Sequence, residues 1–231
     1  AGSGLVKVRT MLKNGLQAVA MNEGLRLKRG LWPAAGRQRL EALKLEGAAA
    51  WQRETSLATV EELGERIARI EKELEKRAKG DQRIQCLRTH PGVGLLTSSA
   101  VVHLLIPTQR FARTRQVAAY CGYDPCEHSS GERQRFGRIS KQGSRLVRFL
   151  LGEAAHAAIA ESEDNDLKGF YYRLLNHRHK HRAVAITATA RKLLIELFVM
   201  LRDQIDYAEF RRRGRDARRA REAHRPALRS A

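Results

Sequence analysis

The chain has 231 residues, enough for one or two domains with a sizeable buried core, and a hydrophobic share of 42% that argues against wholesale disorder. With 44 basic and 25 acidic residues it carries a formal net charge of +19, which points to a polyanionic partner: DNA, RNA, a ribosome or an anionic membrane. Membrane is the weakest of these, since no apolar run is long enough to span a bilayer and no signal peptide opens the chain.

The opening Ala1-Gly2-Ser3-Gly4 reads as a fragment boundary or an expression scar. Leu5 to Glu23 follows as a basic amphipathic helix, with Leu5, Val8, Leu12, Leu16 and Val19 at helical intervals. Gly24 can end it, and a stretch punctuated by Gly30, Pro33, Gly36 and Gly47 follows, with Leu40 and Leu43 marking a short helix. From about Arg53 a second long helix carries Val60, Leu63, Ile67, Ile70 and Leu74, spaced 3, 4, 3, 4 as a heptad seam. Two readings fit this seam: an intramolecular hairpin with the first helix, or a dimerising coiled coil that makes the chain a homo-oligomer through its stalk. Trp32 and Trp51 are expected to pack locally.

After Gly80 the helices shorten. Asp81 to Thr89 and Leu95 to Leu105 flank His90-Pro91-Gly92-Val93-Gly94, and Thr114 to Tyr120 precedes Gly122. Pro125 to Gly143 is polar, with room for a small hairpin within residues 127–140. Ser144 to Ala160 is an Ala-rich helix, Leu167 to Leu175 an amphipathic one, and Ala183 to Leu201 the longest apolar one. Arg211 to Ala231 holds nine arginines and almost no large apolar residue, as a solvated helix or a disordered tail. The expected fold is all-α. Residues 1–80 supply linker helices and a stalk or coiled coil. Residues 81–207 form a compact helical domain with a helix–hairpin–helix element and a polar serine loop, and residues 208–231 a basic tail.

Two segments carry chemistry. In the first, Gly92 and Gly94 leave the backbone of Gly92, Val93 and Gly94 free to turn N–H groups outward at a helix start, a nest that binds phosphate with Arg88 and His90 beside it. An ordinary helix–helix turn uses Pro91, Gly92, Val93 and Gly94 for the same steric reasons. In the second, Ser129 and Ser130 stand before Gly131, followed by Arg133, Arg135, Arg138, Lys141, Arg145 and Arg148. A serine hydroxyl is a poor nucleophile unless its electrophile is polarised, and cations around a phosphate do that. His128 is the nearby candidate base.

Other signals read more plainly. Cys86, Cys121 and Cys126 are odd in number and fit a reducing cytoplasm, with Cys121 and Cys126 as packing residues rather than a zinc site. His177, His179 and His181 lie at alternate positions among cations, which suits a basic nucleic-acid-facing turn better than a metal tract. Glu161, Glu163, Asp164 and Asp166 read as capping and solvated acids. No metal ligands are assigned in this chain.

The joint order of these motifs resembles the C-terminal domain of IS110-type insertion-sequence transposases. It runs Pro91-Gly-Val-Gly94, Arg110-Phe111, Gln116-Val-Ala-Ala-Tyr120, Gly122, Pro125, Ser130-Gly131, Gly137-x-Ile-Ser-Lys141, Gly143 and Arg148. Leu5 to Asn14 resembles the helix leading into that domain, and Ala183 to Tyr207 its closing helix. The resemblance implies a DNA transposase in which Ser130, with Ser129 as the alternative, attacks a DNA phosphate, while Arg138, Lys141, Arg145 and Arg148 grip the backbone. It implies a structured guide RNA, Mg2+ held by an acidic RuvC-like half that does not occur in this sequence, and inactivity of the chain alone. It also implies a prokaryotic cytoplasmic, nucleoid-associated location. A non-catalytic helix–hairpin–helix binder of nucleic acid, and a structural RNA-binding protein, are the competing readings.

Overall fold

A computed structural model describes residues 2–25, 30–127, 136–161 and 165–223. The described chain is almost entirely helical, as expected, and divides into two compact units, Ala1–Lys76 and Arg77–Ala231.

The first unit contains α1 (Gly2–Asn22), α2 (Ala34–Glu41) and α3 (Gly47–Lys79). Leu16 and Ala20 of α1, Leu31, Leu40 of α2, and Leu57 and Val60 of α3 bury each other in a small core. The first part of the heptad seam is therefore covered within the chain, by the first helix and the short one after it. Leu63 and Ile67 are also buried, whereas Ile70 and Leu74 are half-buried. Arg53 holds the α2–α3 connection by donating to the carbonyls of Glu41 (3.1 Å) and Leu43 (2.6 Å). Helix α3 begins at Gly47, nearly two turns before the start expected at about Arg53. Trp32 packs locally under Lys13, whose Nζ lies 4.5 Å from the ring, but Trp51 is 69% exposed.

The second unit is built around α9 (Arg182–Asp203), which at 1.5 Å per residue is about 33 Å long. It touches α4 (Gln82–Arg88), α5 (Leu95–Leu105), α6 (Thr114–Tyr120), α7 (Arg145–Ala160) and α8 (Asp166–Asn176). A helix surrounded in this way must be apolar on most sides. Ala190, Leu193, Leu194, Leu197, Phe198 and Met200 are all buried in one core with Leu87, Val101, Leu105, Val117, Leu151 and Leu167.

The ends of these helices are specified locally. Asp81 caps α4 through Arg83 N–H, Ser144 caps α7 through Val147 N–H, and Asn165 caps α8 through Lys168 N–H. His181, from the histidine tract, accepts from Ala183 N–H (3.2 Å) and caps α9. Gln204, at φ +54°, ends α9 in the left-handed conformation. The two strands among the described residues, β1 (Pro125–Glu127) and β2 (Phe136–Ile139), pair antiparallel, with Pro125 opposite Ile139 and Glu127 opposite Phe136. They flank residues 128–135, so most of the hairpin expected within residues 127–140 lies outside the described residues. The last helix, α10 (Tyr207–Ala223), takes up most of the arginine-rich segment. No described helix is long and apolar enough to cross a membrane.

Candidate functional site

The serine-bearing segment 128–135 lies outside the described residues, so Ser129, Ser130, Arg133, Arg135 and the candidate base His128 do too. The structure does describe the platform from which that segment departs and returns.

Helix α6 ends in a glycine turn. Gly122 sits at φ +73°, its N–H donates to Ala119 O (2.8 Å), and the Tyr123 N–H reaches back to Ala118 O (2.8 Å). This pair of bonds needs a left-handed residue at position 122. A side chain there is excluded twice over, because a Cβ on Gly122 would stand 2.0 Å from the Gln142 carbonyl oxygen. Gly143, at φ +86°, is the counterpart: its Cβ would stand 2.2 Å from Tyr120 O. The two glycines let the backbone at 120–124 lie directly on the backbone at 140–143.

Polar bonds then lock the platform. Ser140 Oγ donates to Asp124 Oδ1 at 2.6 Å, and the Ser140 N–H to Asp124 O at 2.8 Å. The Lys141 N–H donates to Gly122 O (3.1 Å), with Lys141 itself at φ +57°. A left-handed non-glycine residue costs free energy and persists only where its surroundings fix it. Arg148 Nη1 donates to both Cys121 O (3.1 Å) and Gln142 O (2.9 Å), closing the joint. Tyr123 donates its hydroxyl to Arg148 O (3.3 Å), and its burial pushes the phenol pKa upward, so it stays a donor. Cys121 is fully buried, and burial pushes its thiol up to about 11, which makes it a packing residue and a poor nucleophile.

The expected cationic residues are divided by this arrangement. Arg138, Lys141 and Arg145 are exposed. Lys141 and Arg145 border a cleft of about 560 Å³ with Tyr123, Arg148, Phe149 and His156. Arg148 lines the same cleft, but its Nη1 is committed to two carbonyls.

At the far end of α7 lies the Pro91–Gly94 turn, whose three central residues have separate tasks. Gly92, at φ +74°, packs on α7, where a Cβ would stand 2.4 Å from Ala154 O and 2.5 Å from Ala158 N. Its N–H donates to the Glu161 carboxylate at 2.9 Å. Val93 buries its side chain in the core and gives its N–H to His90 O (3.1 Å). Gly94 precedes α5 as its N-cap, with open space where a Cβ would be and no side chain capping the helix. Arg88 and the turn line a second cleft, of about 850 Å³, with Glu161, Tyr207 and Arg211.

His90 is not on the surface beside that turn. Its side chain is buried, with Nδ1 2.9 Å from Pro91 O and Nε2 2.9 Å from Glu196 Oε2 on α9. Its ring lies 4.4 Å from that of Tyr207. Both ring nitrogens lie within hydrogen-bond distance of an oxygen. Burial alone raises the Glu196 pKa, but the bond from His90 and the neighbouring Lys192 outweigh it and hold the carboxyl below its ordinary value. Sequence reasoning singled out neither Glu196 nor Asp124. An acid inside the otherwise apolar Leu193–Leu201 run was the one available signal for Glu196.

Comparison with known proteins places this geometry. Residues 84–172, from α4 into α8, match the model of the transposase IS116/IS110/IS902 family. A probable family 20 transposase of Pseudomonas aeruginosa is 40% identical over 94 residues, covering 41% of this chain and 28% of that protein. The transposase for insertion sequence element IS1111A of Coxiella burnetii is 31% identical over 195 residues, 80% of this chain and 52% of its own length. The transposase for insertion sequence element IS1328 of Yersinia enterocolitica is 32% identical over 101 residues, 44% of this chain and 30% of its own length. The chain thus spans about half or less of the length of these relatives.

Proposed function

We propose that this chain, whose residues 84–172 match the model of the transposase IS116/IS110/IS902 family, binds DNA and supplies a serine nucleophile for strand cleavage and exchange. The observation that carries the reading is the locked base of the 128–135 segment: Gly122 against Gln142, Gly143 against Tyr120, and Ser140 on Asp124. A nucleophile on a short hairpin acts only if the hairpin's feet are fixed relative to the bound phosphate. Lys141 and Arg145 stand at those feet and neutralise the non-bridging oxygens of a phosphate drawn to them.

In this reading Ser130, with Ser129 as the alternative, attacks a backbone phosphorus. A serine Oγ–P bond forms, one P–O bond to a sugar breaks, and the proton leaves with the departing sugar hydroxyl. Reversal onto a different strand completes exchange. The Gly94 end of α5 and Arg88 hold the duplex elsewhere without reading sequence. Among the described residues no group of three or more His, Cys, Asp and Glu side chains is placed to hold a metal ion. In this reading any Mg2+ is held by a separate metal-binding half, and no step here runs through it. A structured guide RNA and self-association through α1–α3 complete the proposal.

The test mixes this chain with a separately expressed metal-binding half from a related element, its guide RNA, Mg2+ and end-labelled target duplex. A protein–DNA adduct that survives a denaturing gel, and is lost in Ser130→Ala but not in Ser129→Ala, supports the reading. No adduct, with salt-sensitive binding equal in wild type and both variants, makes the chain a non-catalytic binder, because counterion-driven association is fully reversible.

A further inference from the structure

Helix α10 is anchored only at its root. Tyr207 and Phe210 pack against the core of the second unit, and the Tyr207 N–H donates to Thr89 Oγ1 at 2.9 Å. From Arg212 to Ala220, every residue whose side chain is described is exposed. A helix with no apolar face is not held by burial, so its surface charges decide what it does.

Those charges fall on two faces at 100° per residue. One face balances itself: Arg212 and Arg213 each pair with Glu209 at 2.7 Å, and Arg212 also lies 3.4 Å from Asp216. The bonds from Arg212 and Arg213 hold the Glu209 carboxyl down to about 2. On the other face the described side chains are cationic. Arg211, Arg215 and Arg219 follow one another at intervals of four, about 6 Å apart along the axis. Neither Arg215 nor Arg219 pairs with an acid among the described residues. Like charges four apart repel, so this row weakens the helix unless an anion lies along it. The row also has a direction. Ala208 and Arg211 line the same cleft as Arg88 and the Pro91–Gly94 turn, so the stripe leads away from that cleft.

We propose that Arg211, Arg215 and Arg219 form a backbone-binding track for duplex DNA that continues from the Pro91–Gly94 cleft. The inference rests on the reading that the chain handles DNA. A duplex fits better than unpaired strands because the exposed stripe holds no aromatic side chain on which bases could stack. Guanidinium groups in a row suit phosphates, which they bind through paired N–H donors. Contacts of this kind are blind to sequence.

The experiment measures binding of the whole chain to a labelled random-sequence duplex by fluorescence anisotropy across a salt series. Glutamine keeps the helix, so the triple variant Arg211→Gln, Arg215→Gln, Arg219→Gln removes charge without removing α10. Its log–log salt slope should be shallower than wild type by about 3, at about 0.9 per lost phosphate contact. The triple Arg→Lys variant should keep the wild-type slope, as should Arg212→Gln with Arg213→Gln on the balanced face. A wild-type slope in the triple Gln variant overturns the track while leaving the DNA reading intact. Failure of the wild-type chain to bind any duplex overturns both. A triple Gln variant that loses only a structured RNA hairpin, and not the duplex, assigns the stripe to RNA and overturns the proposal.

Discussion

The backbone N–H of Gly92 is bonded to the Glu161 carboxylate, 2.9 Å away, at the turn that the proposed function gives to a DNA phosphate. Glu161 caps the C-terminal end of α7, where the helix dipole disfavours a negative side chain. The turn's N–H offsets that penalty, and the carboxylate occupies the donor as an internal anion. Glu161→Gln should therefore tighten binding of a random duplex, because one repelling charge beside the phosphate is removed. A unit charge at about 4 Å in water is worth about 1 kcal/mol, which bounds the gain at roughly fivefold. Anisotropy at low salt checks it, and weaker binding in the variant would show that Glu161 shapes the turn rather than competing for it.

Gly92 and Gly94 look alike in the sequence but should respond oppositely to alanine. At Gly92 a Cβ meets backbone atoms of α7 at 2.4 and 2.5 Å, and φ is +74°. Neither obstacle is a flexible side chain, so Gly92→Ala should lose about 3 kcal/mol or more of stability. At Gly94 nothing lies within 4 Å and φ is −87°, so Gly94→Ala should be close to neutral. Paired thermal melts decide it; equal losses would mean that both glycines are needed for the backbone path.

Helix periodicity made the architecture legible. The Leu95–Leu105 and Thr114–Tyr120 helices begin and end where their spacing indicates, and the two paired strands fall inside the polar segment. What stayed hidden was which backbone packs on which. Nothing local distinguishes a glycine that frees its N–H from one that must lie against a neighbouring helix, because the neighbour of Gly92 is more than 60 residues away. The same holds for His90, which reads as a surface residue beside arginine, whereas its bond to Glu196, 106 positions on, is one that only the fold makes. Arg148 likewise reads as a phosphate ligand by type, whereas its Nη1 joins two carbonyls that only the fold brings together.

The Asp124–Ser140 bond ties the two feet of the serine hairpin at 2.6 Å. Ser140→Ala removes a hydrogen bond to a charged acceptor, expected to cost about 2 kcal/mol of local order. The core of the second unit does not depend on it, so global melting should shift little while covalent adduct formation falls by tenfold or more. The adduct assay run beside a melt separates these effects. Equal adduct yield in Ser140→Ala would mean that the hairpin base does not position the nucleophile.

Acid should weaken the second unit through Glu196. Its folded pKa is depressed below the ordinary value by His90 and Lys192, against the opposing effect of burial. A depressed carboxylate contributes stability that is fully present above its unfolded pKa and lost as pH falls through the folded one. The unfolded value is about 4.3, so the loss should begin as pH drops past it and continue below. Deleting one partner of a buried pair leaves the other uncompensated, so Glu196→Gln should cost roughly 3 kcal/mol at neutral pH. It should also flatten the acid limb of the melting temperature against pH, because the titrating group is gone. The check is a set of melts from neutral to acidic pH for both proteins. An acid limb that keeps its wild-type steepness in Glu196→Gln would assign acid sensitivity to other carboxylates, such as Asp81 and Asp203, whose pKa values are also lowered by paired arginines.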